Sequence, residues 1–210
     1  MKAILFFYIA ALFFTVSCEK SIPLSDLQNG IIHGKVTDKT TGAPIAGASV
    51  YLKGYELGGS IFVPGPSFTV ATTVSDTNGN FCIDFDYNSD YGYFCSAVAD
   101  LYFDYQEEFV IDKTIFGDEV NVEITLQPVA WLNVHIKAVN EYAPSDFIGI
   151  NSTPSYTFFG NVDTTQMITV EGNKNYTLVW FIYVDGFNDA SESADIYCPA
   201  IDTTYFELLF

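Results

Sequence analysis

Gly30 to Val50 reads GIIHGKVTDKTTGAPIAGASV, and this stretch decides the fold. Ile32, Gly34 and Val36 alternate with Ile31, His33 and Lys35, the period of two that a half-buried strand requires. Asp38-Lys39-Thr40-Thr41-Gly42-Ala43-Pro44 follows as turn chemistry, with Gly42 free to take positive φ and Pro44 fixing the exit. A second strand is expected through Ala48-Ser49-Val50-Tyr51-Leu52. After a looser connection from Gly54 to Ser67, another runs from Phe68 to Ser75. Asp76-Thr77-Asn78-Gly79-Asn80 reads as the tip of a hairpin, because Asn-Gly supplies left-handed conformations. Beyond it Phe81, Ile83 and Phe85 face inward, while Cys82, Asp84 and Asp86 face outward.

The pattern restarts further on. Leu132, Val134, Ile136 and Ala138 fall on one side of a strand whose other side holds Asn133, His135 and Lys137. Glu171-Gly172-Asn173-Lys174-Asn175 is a turn into Tyr176–Val184, a run apolar on both faces, as a central sandwich strand is. Asp185-Gly186 turns the chain again, and Thr204 to Phe210 gives a closing strand. No helical periodicity of useful length follows the first 17 residues. The expectation is an all-β protein of two tandem β-sandwich domains, residues 30–127 and 128–210, the second immunoglobulin-like or fibronectin-like.

Three quoted pieces carry a resemblance: Gly34-Lys35-Val36-Thr37-Asp38, Thr41-Gly42-Ala43-Pro44-Ile45-Ala46-Gly47-Ala48-Ser49-Val50, and Asp76-Thr77-Asn78-Gly79-Asn80-Phe81. Together they resemble the carboxypeptidase regulatory-like domain, a small transthyretin-like Greek-key sandwich found beside peptidases, before TonB-dependent receptors and in many bacterial envelope proteins. The resemblance covers about residues 30–127 and implies a fold without catalytic residues. The connection Gly54–Ser67 is longer than that pattern.

Lys2 precedes an apolar run, Ala3 to Phe14, and then Thr15-Val16-Ser17-Cys18. The run is shorter than the about 20 residues of a spanning helix and has the layout of a secretory signal. Its ending resembles a bacterial lipobox, with Thr15 where that pattern usually has Leu. The resemblance implies removal of residues 1–17, lipid attachment at Cys18 and a tether over residues 18–29. Glu19 resembles the residue that follows the cysteine in lipoproteins sorted to the outer membrane. The expected location is therefore the bacterial outer membrane, on its periplasmic or outer side.

Charge narrows the partners. The 210 residues hold 8 Lys+Arg, all of them Lys, against 26 Asp+Glu, for a formal charge of −18. A nucleic-acid footprint needs clustered cations, so none is expected; docking on anionic lipid through a basic face is disfavoured for the same reason. Hydrophobic residues at 49% separate the chain from a disordered acidic tail.

Motifs of chemistry are sparse. No Gly-x-Ser-x-Gly elbow, Walker loop or HExxH occurs. His33 and His135 both fall on polar strand faces, without a second ligand at metal spacing. A hydrolase would need one of them in a cleft within reach of an Asp or Ser. A transthyretin-like hydrolase of the urate pathway needs paired histidines and an arginine, and this chain has no Arg. If Cys18 is lipidated, Cys82, Cys95 and Cys198 remain in an oxidising compartment. A hairpin centred between Asn88 and Ser89 would place Cys82 opposite Cys95, at a separation a disulfide spans. Asp84, Asp86, Asn88 and Asp90 alternate around the same tip and form a weak Ca²⁺ candidate, against which the plainer reading is a solvated acidic turn. Tyr87, Tyr91, Tyr93, Tyr102 and Tyr105 offer aromatic faces for sugar stacking or, more plainly, packing. The function expected is a non-enzymatic lipoprotein without cofactor, binding a protein partner or acting as a scaffold; the alternative is a carbohydrate-binding accessory protein of a glycan-uptake system.

Overall fold

The structure, a computed structural model, describes residues 29–56, 66–88, 90–104, 109–111 and 120–210. The first half contributes β1 (Asn29–Asp38), β2 (Ser49–Glu56), β3 (Phe68–Val74), β4 (Asn80–Asp86), β5 (Tyr91–Val98), β6 (Phe109–Ile111) and β7 (Val120–Leu126). The second contributes β8 (Val129–Lys137), β9 (Phe147–Asn151), β10 (Tyr156–Phe159), β11 (Asp163–Glu171), β12 (Lys174–Val184), β13 (Phe187–Cys198) and β14 (Thr203–Leu209). Each half is a sandwich of a three-stranded and a four-stranded sheet, ordered β4-β1-β7 with β3-β2-β5-β6, and β11-β8-β14 with β10-β9-β12-β13. The protein is all-β, with two tandem sandwiches.

Alternation builds both cores. Ile32, Val36, Phe81, Ile83, Val122 and Ile124 face Val50, Leu52, Tyr93 and Ala97 across the first. In the second, Leu132, Val134, Ile136 and Leu208 face Ile148, Ile150, Leu178 and Trp180. Each Val, Leu, Ile or Phe among them, when fully withdrawn from water, contributes about 1.5–3 kcal/mol. On β4 the outward positions are Cys82, Asp84 and Asp86, as the alternation predicts.

Strand for strand, the second half repeats the first. The opening strand of each lies between the fourth and the seventh, and pairs in parallel with the seventh: Ile32 with Val120, Trp131 with Thr203. The repeat extends to register. The bond from Val36 N–H to the Gly79 carbonyl (2.8 Å) has its counterpart from Ala138 N–H to the Val162 carbonyl (2.9 Å). His33 and Lys35 thereby occupy the same places on the central strand as His135 and Lys137. The immunoglobulin-like expectation for residues 128–210 holds as a two-sheet sandwich, built with the strand order of the first half.

Two expected hairpins are crossings between sheets. Asp76–Asn80 joins β3 to β4, and the residues after Asp86 join β4 to β5, yet β4 pairs with β1 while β3 and β5 both pair with β2. β4 is held at β1 by a close fit: a Cβ on Gly34 would stand 2.2 Å from the Phe81 ring. In the first crossing only Gly79 has positive φ (77°), and Asp76 Oδ1 accepts from the Asn78 and Asn80 N–H groups, each at 2.8 Å. This is a side-chain-braced bend rather than a two-residue hairpin loop.

Gln127 and Pro128 alone separate β7 from β8. The buried Gln127 donates through Nε2 to the Gly172 carbonyl at 2.9 Å, and Asn173 Nδ2 donates to Thr40 Oγ1 at 2.8 Å. The Gly172–Asn173 turn of the second sandwich thus rests on the Asp38–Gly42 turn of the first. A Cβ on Gly172 would lie 2.7 Å from the Ala200 backbone, so only glycine fits there. β1 runs toward this junction and β8 runs away from it. Asn29 and the far ends of β8 and β12 therefore lie at opposite ends of the pair of sandwiches.

Asp38 anchors the first side of the junction. Its Oδ1 accepts from Thr40 N–H (2.8 Å), Thr40 Oγ1 (2.7 Å) and Thr41 N–H (2.9 Å), and Oδ2 accepts from the Tyr102 hydroxyl (3.1 Å). Burial opposes ionisation of this carboxyl, but the hydrogen bonds outweigh it and hold its pKa below the ordinary aspartate range. Its stabilising contribution is complete above the ordinary value near ~4 and is lost as pH falls through the lower folded value. Asp38→Ala is expected to cost about 1–3 kcal/mol at pH 7 in urea unfolding, with the gap to the parent closing in acid.

Candidate binding face

At the far end of the second sandwich one aspartate, through its carboxylate and its carbonyl, organises three pieces of chain. Asp146 is 4% exposed. Its Oδ2 accepts from the Ala143 N–H at 2.8 Å, Oδ1 accepts from the Asp185 N–H at 3.0 Å, and its carbonyl accepts from the Gly160 N–H at 2.8 Å. Burying a carboxylate is tolerable only when backbone donors replace water. Asp185 and Gly186, with φ of 54° and 81°, form the two-residue turn that Asp-Gly favours between paired strands. Asp146 consequently ties together the start of β9, the end of β10 and the β12–β13 turn.

Those strand ends carry an aromatic row on the outward face of β10-β9-β12-β13. Phe159 pairs with Phe147, and Phe147 with Tyr183. The Phe147 and Tyr183 rings stack at 4.5 Å with planes 13° apart, and Phe159 lies 5.5 Å from Phe147. In the next row Thr157 pairs with Gly149 and Gly149 with Phe181, and a Cβ on Gly149 would meet nothing within 4 Å. Beyond it stand Asn151, Val179 and Ser193. Phe159 is 62% exposed. Single exposed apolar residues are ordinary, whereas contiguous rings on one face mark a binding surface.

The histidines lead elsewhere. His135 Nε2 lies 2.7 Å from Asp163 Oδ1, and Nδ1 lies 3.6 Å from Glu207 Oε1, in a shallow groove of about 300 Å³ that Asn133, Thr165 and Tyr205 also line. The His135 hydrogen bond is the main cause holding the Asp163 carboxyl below its usual range. A histidine within reach of an aspartate is the arrangement a hydrolase needs. A general base, however, must keep one ring nitrogen open to substrate, and both nitrogens here face carboxylates. Neither Ser nor Cys lines the groove among the described residues. His33 borders the corresponding groove of the first half, with Lys35, Asn121 and Glu123.

Three expectations need correction or lie outside view. Cys95 is a free, buried thiol on β5, in the sheet opposite Cys82 on β4, so the Cys82–Cys95 bridge is not formed. Cys198 is likewise a free, buried thiol. The assumed pairing failed because β4 and β5 are not hairpin neighbours. For the same reason Asp84, Asp86 and Asp90 do not converge: the first two stand on the outward face of β4 and the third ends the crossing, just before β5. Among the described residues no group of three His, Cys, Asp or Glu could hold a metal. Cys18 and Tyr105 lie outside the described residues, as does most of the Gly54–Ser67 connection.

The tyrosines of the first half pack. Tyr93 is 2% exposed, its hydroxyl accepting from the Asn88 N–H at 2.9 Å. Tyr102 is held by Asp38, Tyr87 lies 5.7 Å from Tyr93, and Tyr91 meets Phe68 edge-on at 5.1 Å. The aromatic face is instead made by β9, β10 and β12. Its signal in the sequence was the alternation Phe147, Gly149, Asn151 against Ile148 and Ile150.

No family model matches the chain, and no curated protein matches it. Among solved structures it is similar to a minor pilin of Streptococcus agalactiae, at 10% identity over 86% of this chain and 94% of that one, with a TM-score of 0.40. A streptococcal ancillary pilin is similar at 12% identity over 88% of this chain and 63% of that one, with a TM-score of 0.43. The TIE protein of Bacillus anthracis is similar at 12% identity with a TM-score of 0.39; 87% of this chain aligns, spanning about a third (33%) of that protein's length.

Two measurements check this geometry. Burial pushes the Cys95 thiol up to about 12, so iodoacetamide at pH 8 is expected to leave Cys95 unmodified in the native protein and to label it once urea unfolds the chain. Asp146→Ala should cost about 1–3 kcal/mol in urea unfolding, since the Ala143 and Asp185 N–H groups lose their carboxylate acceptor.

Proposed function

We propose that the protein is a non-enzymatic, lipid-anchored binding module of a bacterial envelope. Cys18 holds it to the outer membrane, and the aromatic end of the second sandwich is the working surface. The observation that carries this reading is directional: β1 enters at one end of the paired sandwiches, and the Phe147 row lies at the other. A tether over residues 18–29 would therefore leave that row farthest from the bilayer.

The chemistry of the N-terminal segment supports the anchor. Its apolar run ends in small residues before Cys18, and two or more acyl chains on one residue give stable attachment where a single chain gives only marginal binding. Among the described residues no helix is long and apolar enough to cross a membrane. A net charge of −18 keeps the folded body off an anionic lipid surface, so the sandwiches stand away from it. The groove at His135, with both ring nitrogens facing carboxylates, supports a role in binding or scaffolding rather than catalysis.

Mass spectrometry of the protein purified from native membranes is expected to find a mature chain that begins at Cys18 with a thioether-linked diacylglyceryl group. Cys18→Ala is expected to leave the membrane pellet. Recovery of a chain beginning at Met1, or of the Cys18 sulfur in a disulfide, would overturn the proposal.

A further inference from the structure

We propose that the outward face of β10-β9-β12-β13 binds a neutral glycan, with one pyranose ring seated over Gly149. This rests on the binding-module reading above and adds the chemical class of its ligand. Gly149 lies on an inner strand of the sheet, where an outward side chain would normally fill the surface, yet nothing stands within 4 Å of its would-be Cβ. The resulting trough is bounded by Phe147 and Asn151 along β9 and by Thr157 and Phe181 on the neighbouring strands. Strand spacing makes it about 10 Å wide, and the rise per residue makes it about 13 Å long, between Cα positions. With side chains in place, that accommodates a single six-membered ring lying flat.

The walls select the class. Phe147 and Phe181 put apolar ring surface on two sides of the trough, beside the C–H groups of a sugar. Asn151 and Thr157 are exposed, uncharged hydrogen-bonding side chains that match its hydroxyls. The stacked Tyr183 and the exposed Phe159 extend the shelf by one row, so a chain of sugars could continue past the trough. Charge argues against other occupants. No lysine stands in these three rows, and the chain has no arginine, so an anionic polymer finds no counter-charge. The shelf is also held in place before any ligand arrives, because Asp146 fixes the three strand ends that carry it.

The test is affinity electrophoresis of the full mature chain through gels containing xylan, mixed-linkage β-glucan, galactomannan or dextran. At least one of these is expected to retard the parent protein. Phe159→Ala should weaken that retardation about three- to tenfold, the range for losing one aromatic contact. Gly149→Val suits a strand and should fill the trough, weakening retardation by more than about tenfold. Phe159 is 62% exposed and a side chain at position 149 would meet open space, so both variants should still fold and unfold cooperatively in urea. Tyr205→Ala, on the opposite sheet, should leave retardation unchanged. No retardation by any of the four polymers overturns the proposal, as does retardation that survives Gly149→Val or disappears with Tyr205→Ala. Self-association abolished by Phe159→Ala would also overturn it, by making the shelf an interface between copies. Lipid attachment at Cys18 is read independently, so failure of the glycan assay leaves the anchor standing or falling on its own measurement.

Discussion

The opening strand of each half is held on both sides, and the rest of the architecture follows from that constraint. β1 pairs with β4 on one edge and β7 on the other, as β8 does with β11 and β14. A central strand leaves no room for its sequence neighbours in the same sheet, so β2 and β3 must form the opposite layer and the chain must cross back to supply β4. The apolar sides of the two layers then meet, because each strand keeps strict alternation. Gly34, Gly79 and Gly172 lie at the points where this arrangement brings backbone or rings too close for a Cβ.

Using the same strand order twice puts comparable positions of the two halves to different uses. The outward central-strand histidines occupy matching places, but His135 sits between Asp163 and Glu207 while His33 has Asn121 and Cys82 as its cross-strand neighbours. The outward faces of the four-stranded sheets diverge as well. In the first half Phe94 is buried at 7% exposure beneath Lys53, whose Nζ lies 5.8 Å from the ring centre. In the second half the corresponding layer is bare, with Phe159 largely in water and open space over Gly149. A shared scaffold thus carries two differently dressed outward faces, one with Lys53 over Phe94 and one open over Gly149.

Which side of a strand faces the core was legible from residue order alone for Phe81, Ile83 and Phe85 and for Leu132, Val134 and Ile136, whereas the doubly apolar run Tyr176–Val184 hid which of its sides stays open. Which strand lies beside which was not. Asn78-Gly79 and the tip near Asn88 both have good hairpin chemistry, yet β4 pairs with β1, about fifty positions before it, which local turn chemistry does not encode. The Cys82–Cys95 pairing and the Asp84–Asp90 cluster depended on that local assumption and fell with it. The aromatic shelf was hidden for a related reason. Its rings come from residues 147, 159, 181 and 183, on three strands of which two are short, and only the pairing of β9 with both β10 and β12 assembles them.

Parallel pairing of first and last strands also decides how the protein carries mechanical load. A pull between the start of β1 and the end of β7 draws the two strands in opposite directions. In that geometry the seven paired positions from Ile32–Val120 to Asp38–Leu126 resist together in shear, instead of peeling apart one at a time. The seven pairs between β8 and β14 repeat the arrangement. A strand pair of this kind yields to a lengthwise pull only when all its bonds slip together.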